Sequence, residues 1–378
     1  VLLVILGIGM LTAIQSAGTE EVIADHSVLH LKLEAPMTEL EVDDPVADVF
    51  PGAGENSYGL LQLKQAIANA KNDPKIEGIY LNTSMLMTGI ASIQELREAI
   101  IDFKSSGKWV VSYADFYTEG GYYLASAADR VYLGREGDVE FNGLATDVMF
   151  FKKMFDKLGI KPEVFRVGQF KSAVEPFLRE DLSEENKLQL NSMLNSIYNA
   201  MVADISASRN VPADKLRAMA DQMTVRSGKL AQENGLIDSL VYEDEMLDVL
   251  RSKLGLAAKK KVPLVKYSKY KKSFKTDISS ANEIAVIVAD GDIMPGKADQ
   301  GTVGAATFVE QIRRARTNEK VKAIVLRINS PGGAFQAADN MWRAITLATK
   351  EKPVIASMGG YTASGGYYPA MGCDTIVA

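Results

Sequence analysis

Near the C-terminal end, "AIVLRIN" (323–329) and "PVIASM" (353–358) place apolar residues on consecutive positions. Such short β-rich runs are the pattern of buried parallel strands. Between them, "AFQAADNMWRAITLATK" changes period, with Ala334, Ala338, Trp342 and Ile345 on one helical face. Strand, loop, helix, strand, turn, helix, strand is therefore the expected order, and alternating βα units imply a parallel sheet flanked by helices.

The pattern occurs twice. "IANAKNDPKIEGIYLN" (67–82) and "IRRARTNEKVKAIVLR" (312–327) share Ile67/Ile312, Ala70/Ala315, Lys75/Lys320, Ile79/Ile324 and Leu81/Leu326 at a spacing of 245. The same spacing aligns "KWVVSYADFYTEGGYYLASAADRVYL" (108–133) with "PVIASMGGYTASGGYYPAMGCDTIVA" (353–378). One register over both blocks reads as a duplication. The first copy continues through a helical stretch, "LSEENKLQLNSMLNSIYNAMVADISASR", to about Leu256, whereas the second stops at Ala378. A fragment cut at both ends is expected. The segments expected are an anchor at 1–15, an entry segment at 16–58, a first repeat at 59–256, a basic linker at 257–282 and a second repeat at 283–378.

The first segment, "VLLVILGIGMLTAI", has fourteen residues without a charge and begins at Val1. A spanning helix needs about 20 apolar residues. The run therefore reads as part of a transmembrane anchor, with the apolar part of a cleaved signal peptide as the alternative. Joining the repeats, "KKKVPLVKYSKYKKSFKT" is rich in lysine and has no acid. It reads as a solvated linker or a lysine-protected edge strand, or else as a contact with anionic lipid.

Composition narrows the chemistry. A net charge of −6 and a pI near 5.3 argue against nucleic acid as a partner. One cysteine, Cys373, rules out an intrachain disulfide. With two closely spaced histidines besides, no thiolate or imidazole metal cluster is expected.

Two turns in the second copy point to acyl chemistry. "GGYTASGGYYPA" (359–370) sets Ser364 on a glycine-lined turn after a strand, and "NSPGGAF" (329–335) follows a strand and opens a helix. The backbone N–H groups of Gly332 and Gly333 are the material of an oxyanion hole. Loops following strands of a parallel sheet emerge at one edge, which brings the two turns together. The first copy carries "SMLMT" and Glu119 at the corresponding places, so one site of the two is expected to be built for this chemistry.

Serine needs a base. Both histidines, His26 and His30, lie in the N-terminal segment, which argues against a Ser-His-Asp arrangement. A lysine serves if burial keeps its amine neutral, and a three-unit drop from the free value costs about 4 kcal/mol. Lys171 in "VFRVGQFKSAVEPF" stands among Val167, Phe170, Ala173, Val174 and Phe177. The alternative is an exposed ion pair with Glu175, four residues on.

"FRVGQFKSAVEPF", "LRINSPGG" and "SMGGYTASGGYY", in this order within a duplicated chain, resemble the bacterial signal peptide peptidase A family, also called protease IV, in its long form. The resemblance covers nearly the whole chain. It implies tandem crotonase/ClpP-like repeats behind a membrane anchor, with the catalytic part on the outer face of the bacterial inner membrane. The implied activity is cleavage of signal peptides by a Ser/Lys dyad, without cofactor, in a tetrameric homo-oligomer. The nucleophile matches Ser364 and the general base Lys171, with the oxyanion held by Gly333 and Gly365. An acyl-CoA enzyme of the crotonase type and a non-catalytic membrane scaffold remain the rival classes.

Overall fold

The computed structural model describes residues 22–42, 57–274, 280–297 and 301–378. The expected anchor at 1–15 lies outside the described residues, as do much of the entry segment and part of the basic linker. Among the described residues no helix is long and apolar enough to cross a membrane.

The described part of the chain opens with β1 (Ser27–Leu31), β2 (Met37–Thr38), β3 (Tyr58–Gly59) and α1 (Leu60–Asn72). It continues with β4 (Ile76–Leu81), α2 (Ile90–Lys104), β5 (Trp109–Ala114), α3 (Glu119–Ala125) and β6 (Arg130–Leu133). A helical stretch follows, with α4 (Lys152–Leu158), α5 (Glu184–Arg209), α6 (Ala213–Asp221) and α7 (Gly228–Glu233). Then come β7 (Ser239–Leu240), α8 (Glu243–Lys253) and β8 (Leu264–Lys266). The second repeat holds β9 (Glu283–Asp290), β10 (Asp292–Met294), β11 (Thr302–Gly304) and α9 (Ala305–Thr317). It ends with β12 (Val321–Ser330), α10 (Phe335–Ala348), β13 (Val354–Thr362) and β14 (Thr375–Val377).

The described residues form two compact units: those up to 113, with 128–130 and those from 243 on, make the first, and 114–127 with 131–242 the second. In the first unit β5, β4, β1 and β8 lie side by side, all parallel, and so do β14, β13, β12 and β9. The parallel α/β architecture read from the apolar runs is therefore present. The "VPLVKYSKY" stretch supplies β8, which pairs with β1, and its Tyr270 hydroxyl donates to Asp73 at 3.0 Å.

Along β12 the side chains of Ile324, Leu326 and Ile328 are fully buried, and α9 and α10 supply Phe308, Ile312, Met341 and Ile345 to the same core. Each such side chain contributes about 1.5–3 kcal/mol by leaving water. The buried stripe of α10 is Ala337, Ala338, Met341, Ile345 and Ala348. Trp342 falls beside that stripe and meets the Tyr368 ring edge-on at 6.3 Å.

Asn329 and Arg327, with side chains away from that core, are held by polar groups. The Arg327 guanidinium forks onto Glu39 (2.8 and 3.0 Å), reaches Glu95 on α2 at 2.6 Å and donates to Ser357 at 3.1 Å. Burial opposes its charge, but Glu39 and Glu95 raise its pKa regardless. This bidentate pair fastens the entry segment of one repeat to the central strand of the other.

Strand registers refine the repeat. Ile79 and Ile324 are 245 apart and pair with Val110 and Val354, which are 244 apart. Lys108 therefore matches Lys352 rather than Pro353, and the ungapped alignment slips by one through this strand. The spacing returns to 245 by the Ser364 turn, after an irregularity in β13 where Ile328 pairs with Met358 but Ser330 with Thr362, four positions against two. At the first strands the spacing changes again, because Leu29 pairs with Ile79 and Ala285 with Ile324, 256 apart (285 against 29).

Candidate active site

The irregular end of β13 delivers Ser364. After Thr362 the chain takes one extended residue, Ala363, and then enters a single 3-10 turn, Ser364–Gly366, followed by one helical turn, Tyr367–Ala370. Ser364 has φ +50°, a left-handed conformation in a residue with a Cβ, and it is exposed. Such a backbone costs about 1–3 kcal/mol and persists only where its surroundings impose it. Here the imposition is visible. Ala363 N–H donates to the Ser330 carbonyl at 3.0 Å, and Gly366 N–H to the Ala363 carbonyl at 2.8 Å. A Cβ on Gly366 would lie 2.5 Å from the Ser330 oxygen, so the turn closes this tightly only with glycine there.

The "PGG" turn packs directly against it. Gly332 has φ +106°, and its N–H donates to Ser330 Oγ at 3.1 Å. Ile293 on β10 clamps the turn from the far side, donating to the Gly332 carbonyl (2.8 Å) and accepting from Ala334 N–H (2.9 Å). None of these bonds uses the N–H of Gly333 or of Gly365. The two turns approach so closely that a Cβ on Gly365 would sit 3.1 Å from the Gly333 nitrogen. A Cβ on Gly332 would sit 2.5 Å from the Gly365 nitrogen and 3.0 Å from Ser364 Cβ. Two backbone donors thus flank the serine, the arrangement that stabilises an oxyanion. Gly332 contributes conformation and clearance, its own N–H being taken by Ser330.

Ser364, Gly333 and Gly365 open into a cleft of about 670 Å³ lined also by Phe335, Ala338, Asp339 and Tyr368. Neither histidine lines it. His26 Nδ1 lies 2.6 Å from Glu77, and His30 stacks on Tyr80 with its pKa lowered by burial. Among the described residues no group of His, Cys, Asp and Glu could hold a metal ion. The Cys373 thiol is half-buried and pushed up to about 12 by burial and by Asp374.

Lys171 lies in the other compact unit. It precedes the turn Ser172–Val174, its side chain is exposed, and its carbonyl accepts from Arg166 Nη1 at 3.1 Å. The segment before it carries apolar side chains in the open, with Phe165 95% and Val167 92% exposed. Glu175, the acid four residues on, is buried and accepts from Asn186 Nδ2 (3.0 Å) and from the Ser183 backbone (3.2 Å) instead of pairing with the lysine.

At the position corresponding to Ser364, Glu119 is the first residue of a regular helix. Thr118 caps that helix by accepting from Gly121 N–H at 3.2 Å. The Glu119 carboxylate is buried and accepts from the backbone of Gly143 (3.2 Å) and Asn142 (3.4 Å). Burial outweighs these two donors, so its pKa is raised.

Sequence reasoning missed Ser330 and Glu39. Ser330 is legible in hindsight, as a hydroxyl at a strand end just before a Pro-Gly-Gly turn. Glu39 carries no local signal, since its partner Arg327 is 288 positions away.

The sequence profile of Peptidase family S49 matches residues 102–257 and 346–378, together half of the chain. A Haemophilus influenzae protein named Protease 4 is 36% identical over 83% of this chain and 53% of its own length. The Arabidopsis thaliana "Serine protease SPPA, chloroplastic" is 36% identical over 88% of this chain and 50% of its own. Protease 4 of Salmonella typhi is 34% identical over 100% and 63% respectively. The chain thus spans between half and under two thirds of the length of these curated relatives.

Proposed function

Because the chain belongs to Peptidase family S49, we propose that it is a serine endopeptidase with Ser364 as nucleophile and Lys171 as general base. The observation that carries this reading is the strained Ser364 turn, opening into a cleft beside the backbone amides of Gly333 and Gly365.

The chemistry follows from those groups. Ser364 Oγ attacks the scissile carbonyl carbon while its proton passes to the neutral amine of Lys171. The negative charge that develops on the carbonyl oxygen is held by the N–H groups of Gly333 and Gly365. As the C–N bond breaks, Lys171 returns the proton to the leaving amine. It then activates the water that hydrolyses the acyl-enzyme and frees Ser364. No cofactor is required.

An amine acts as a base only in a dry surrounding. The exposed apolar stretch around Phe165 and Val167 supports the view that a second copy of the chain covers it, so we assign a homo-oligomer, a tetramer by family resemblance, as the working form. The substrates proposed are apolar peptides, cleaved signal peptides among them. The location proposed is the bacterial inner membrane with the catalytic part on the periplasmic side, in keeping with the apolar run "VLLVILGIGMLTAI".

A fluorophosphonate reagent applied to the full chain tests the reading. Expected are one modified serine, Ser364, loss of label in Ser364→Ala, and loss of peptide hydrolysis with folding retained in both Ser364→Ala and Lys171→Ala. Acyl-CoA turnover surviving in both variants would instead identify a crotonase-type enzyme.

A further inference from the structure

The cleft at Ser364 has one charged side chain in its lining, Asp339. Asp339 lies on α10 four residues after Phe335, so the carboxylate and the 75%-exposed ring share a helical face. One carboxylate oxygen, Oδ1, accepts the hydroxyl of Tyr368 at 3.0 Å, and Tyr368 follows Ser364 by four residues. That bond raises the Tyr368 pKa and ties the carboxylate to the helical turn behind the nucleophile. The natural cationic partner would be Arg343, at the i,i+4 spacing that pairs opposite charges on a helix. No such pair forms. Arg343 lines a separate cavity with Arg313 and Arg316, and among the described residues no Lys, Arg or His pairs with Asp339.

The cleft therefore offers a carboxylate without a basic partner, bonded to the Tyr368 hydroxyl, one helical turn from Phe335 and in the same cavity as the nucleophile. A long aliphatic stem ending in a cation matches this lining, because such side chains lay the stem on apolar surface and keep the charged head at a polar site. We propose that Asp339 is a specificity-determining residue that selects a lysine or arginine side chain in the peptide bound at Ser364. This rests on the peptidase reading and deepens it: the preferred substrate is an apolar peptide carrying a basic residue at one fixed distance from the scissile bond.

The test is a set of apolar peptides in which lysine replaces norleucine at one position at a time, cleaved by the full chain, by Asp339→Asn and by Tyr368→Phe. Asparagine keeps an acceptor for the Tyr368 hydroxyl while removing the charge. Phenylalanine removes the hydroxyl but keeps the charge. At one position lysine is expected to raise kcat/KM by about two- to fivefold, the scale of a solvent-accessible ion pair. The preference should fall to near unity in Asp339→Asn, persist in Tyr368→Phe, and fade at high salt. The proposal is overturned if no position favours lysine, or if Asp339→Asn slows lysine and norleucine peptides alike, the mark of a purely structural contact. Cleavage without a lysine preference sinks this assignment alone; absence of cleavage of every peptide sinks the peptidase reading with it.

Discussion

Lys108 and Lys352 occupy the same place in the two repeats. Each ammonium bonds two carbonyls at a helix end, Ala70 and Asp73 at the end of α1 in the first repeat and Ala315 and Asn318 at the end of α9 in the second. Asp129 and Asp374 repeat as well, each accepting from the backbone N–H two residues after that lysine, Val110 and Val354. The scaffolds match down to such details, yet the turns they carry have opposite chemistry. Glu119 opens a capped, ordinary helix and turns its side chain inward. Ser364 sits at φ +50° with its hydroxyl exposed. The difference traces to a few residues. The second repeat has an additional position in β13, a glycine pair after β12, and Ile293 to clamp that pair. A duplicated scaffold keeps its shape through helix ends and strand pairs, and gains or loses a site through turns.

The largest effect expected from that contrast is asymmetric. Ser364→Ala should lower peptide hydrolysis by about a thousandfold or more, since losing a nucleophile leaves only binding and oxyanion stabilisation. Glu119→Ser puts the nucleophile's side chain at the equivalent place and should gain nothing. Its backbone is regular helix and its repeat lacks the glycine pair, so mass spectrometry after fluorophosphonate treatment should find no label at 119. Label there would mean that side-chain identity, rather than the strained turn, decides which repeat reacts.

Next in size is the fastening between the repeats. Glu39→Ala strands the Arg327 guanidinium, 8% exposed, without its bidentate partner. Removing one member of a buried pair costs about 3–5 kcal/mol. A urea titration should show this as a lower midpoint, whereas loss of an exposed pair such as Lys152–Asp156 should be hard to detect. A Glu39→Ala midpoint within error of the parent would mean that Glu95 and Ser357 hold Arg327 unaided.

These two tests mark where the sequence was legible. Apolar runs announced β12 and β13 because buried parallel strands need consecutive apolar positions, and the glycines on either side of Ser364 marked its turn. The glycines of the Pro-Gly-Gly turn stand out in the sequence for a reason the structure gives: a Cβ on Gly332 or Gly333 would lie within about 3 Å of neighbouring backbone. Glu39 was illegible, since a carboxylate 288 positions from its arginine has no local signature. The one-residue slip between Lys108 and Lys352 was hidden too, because an irregular strand restores the register before the next matching motif. Trp342 misled the stripe of α10 for a different reason. A large ring at the margin of a buried face scores as apolar but needs the space at that margin, while Met341 and Ala337 fit beneath.

The smallest expected effect separates the two turns by pH. Burial raises the pKa of Glu119 from the ordinary carboxylate value of 4.5, so the folded chain binds that proton more tightly than the unfolded chain does. Its favourable contribution is therefore complete below the unfolded value and is lost as pH rises through the raised one. Glutamine at 119 has no charge to bury at any pH and keeps one acceptor for Gly143 or Asn142. Urea midpoints of Glu119→Gln and the parent should lie closest near pH 4. The variant should gain on the parent as pH rises toward 7, with no change in fluorophosphonate labelling of Ser364. A parent that gains on the variant over that interval would show that the two backbone donors favour the charged carboxylate more than burial opposes it. The first repeat's turn would then be an anion site filled by its own side chain, closer in design to the oxyanion pocket of the second repeat than its buried glutamate suggests.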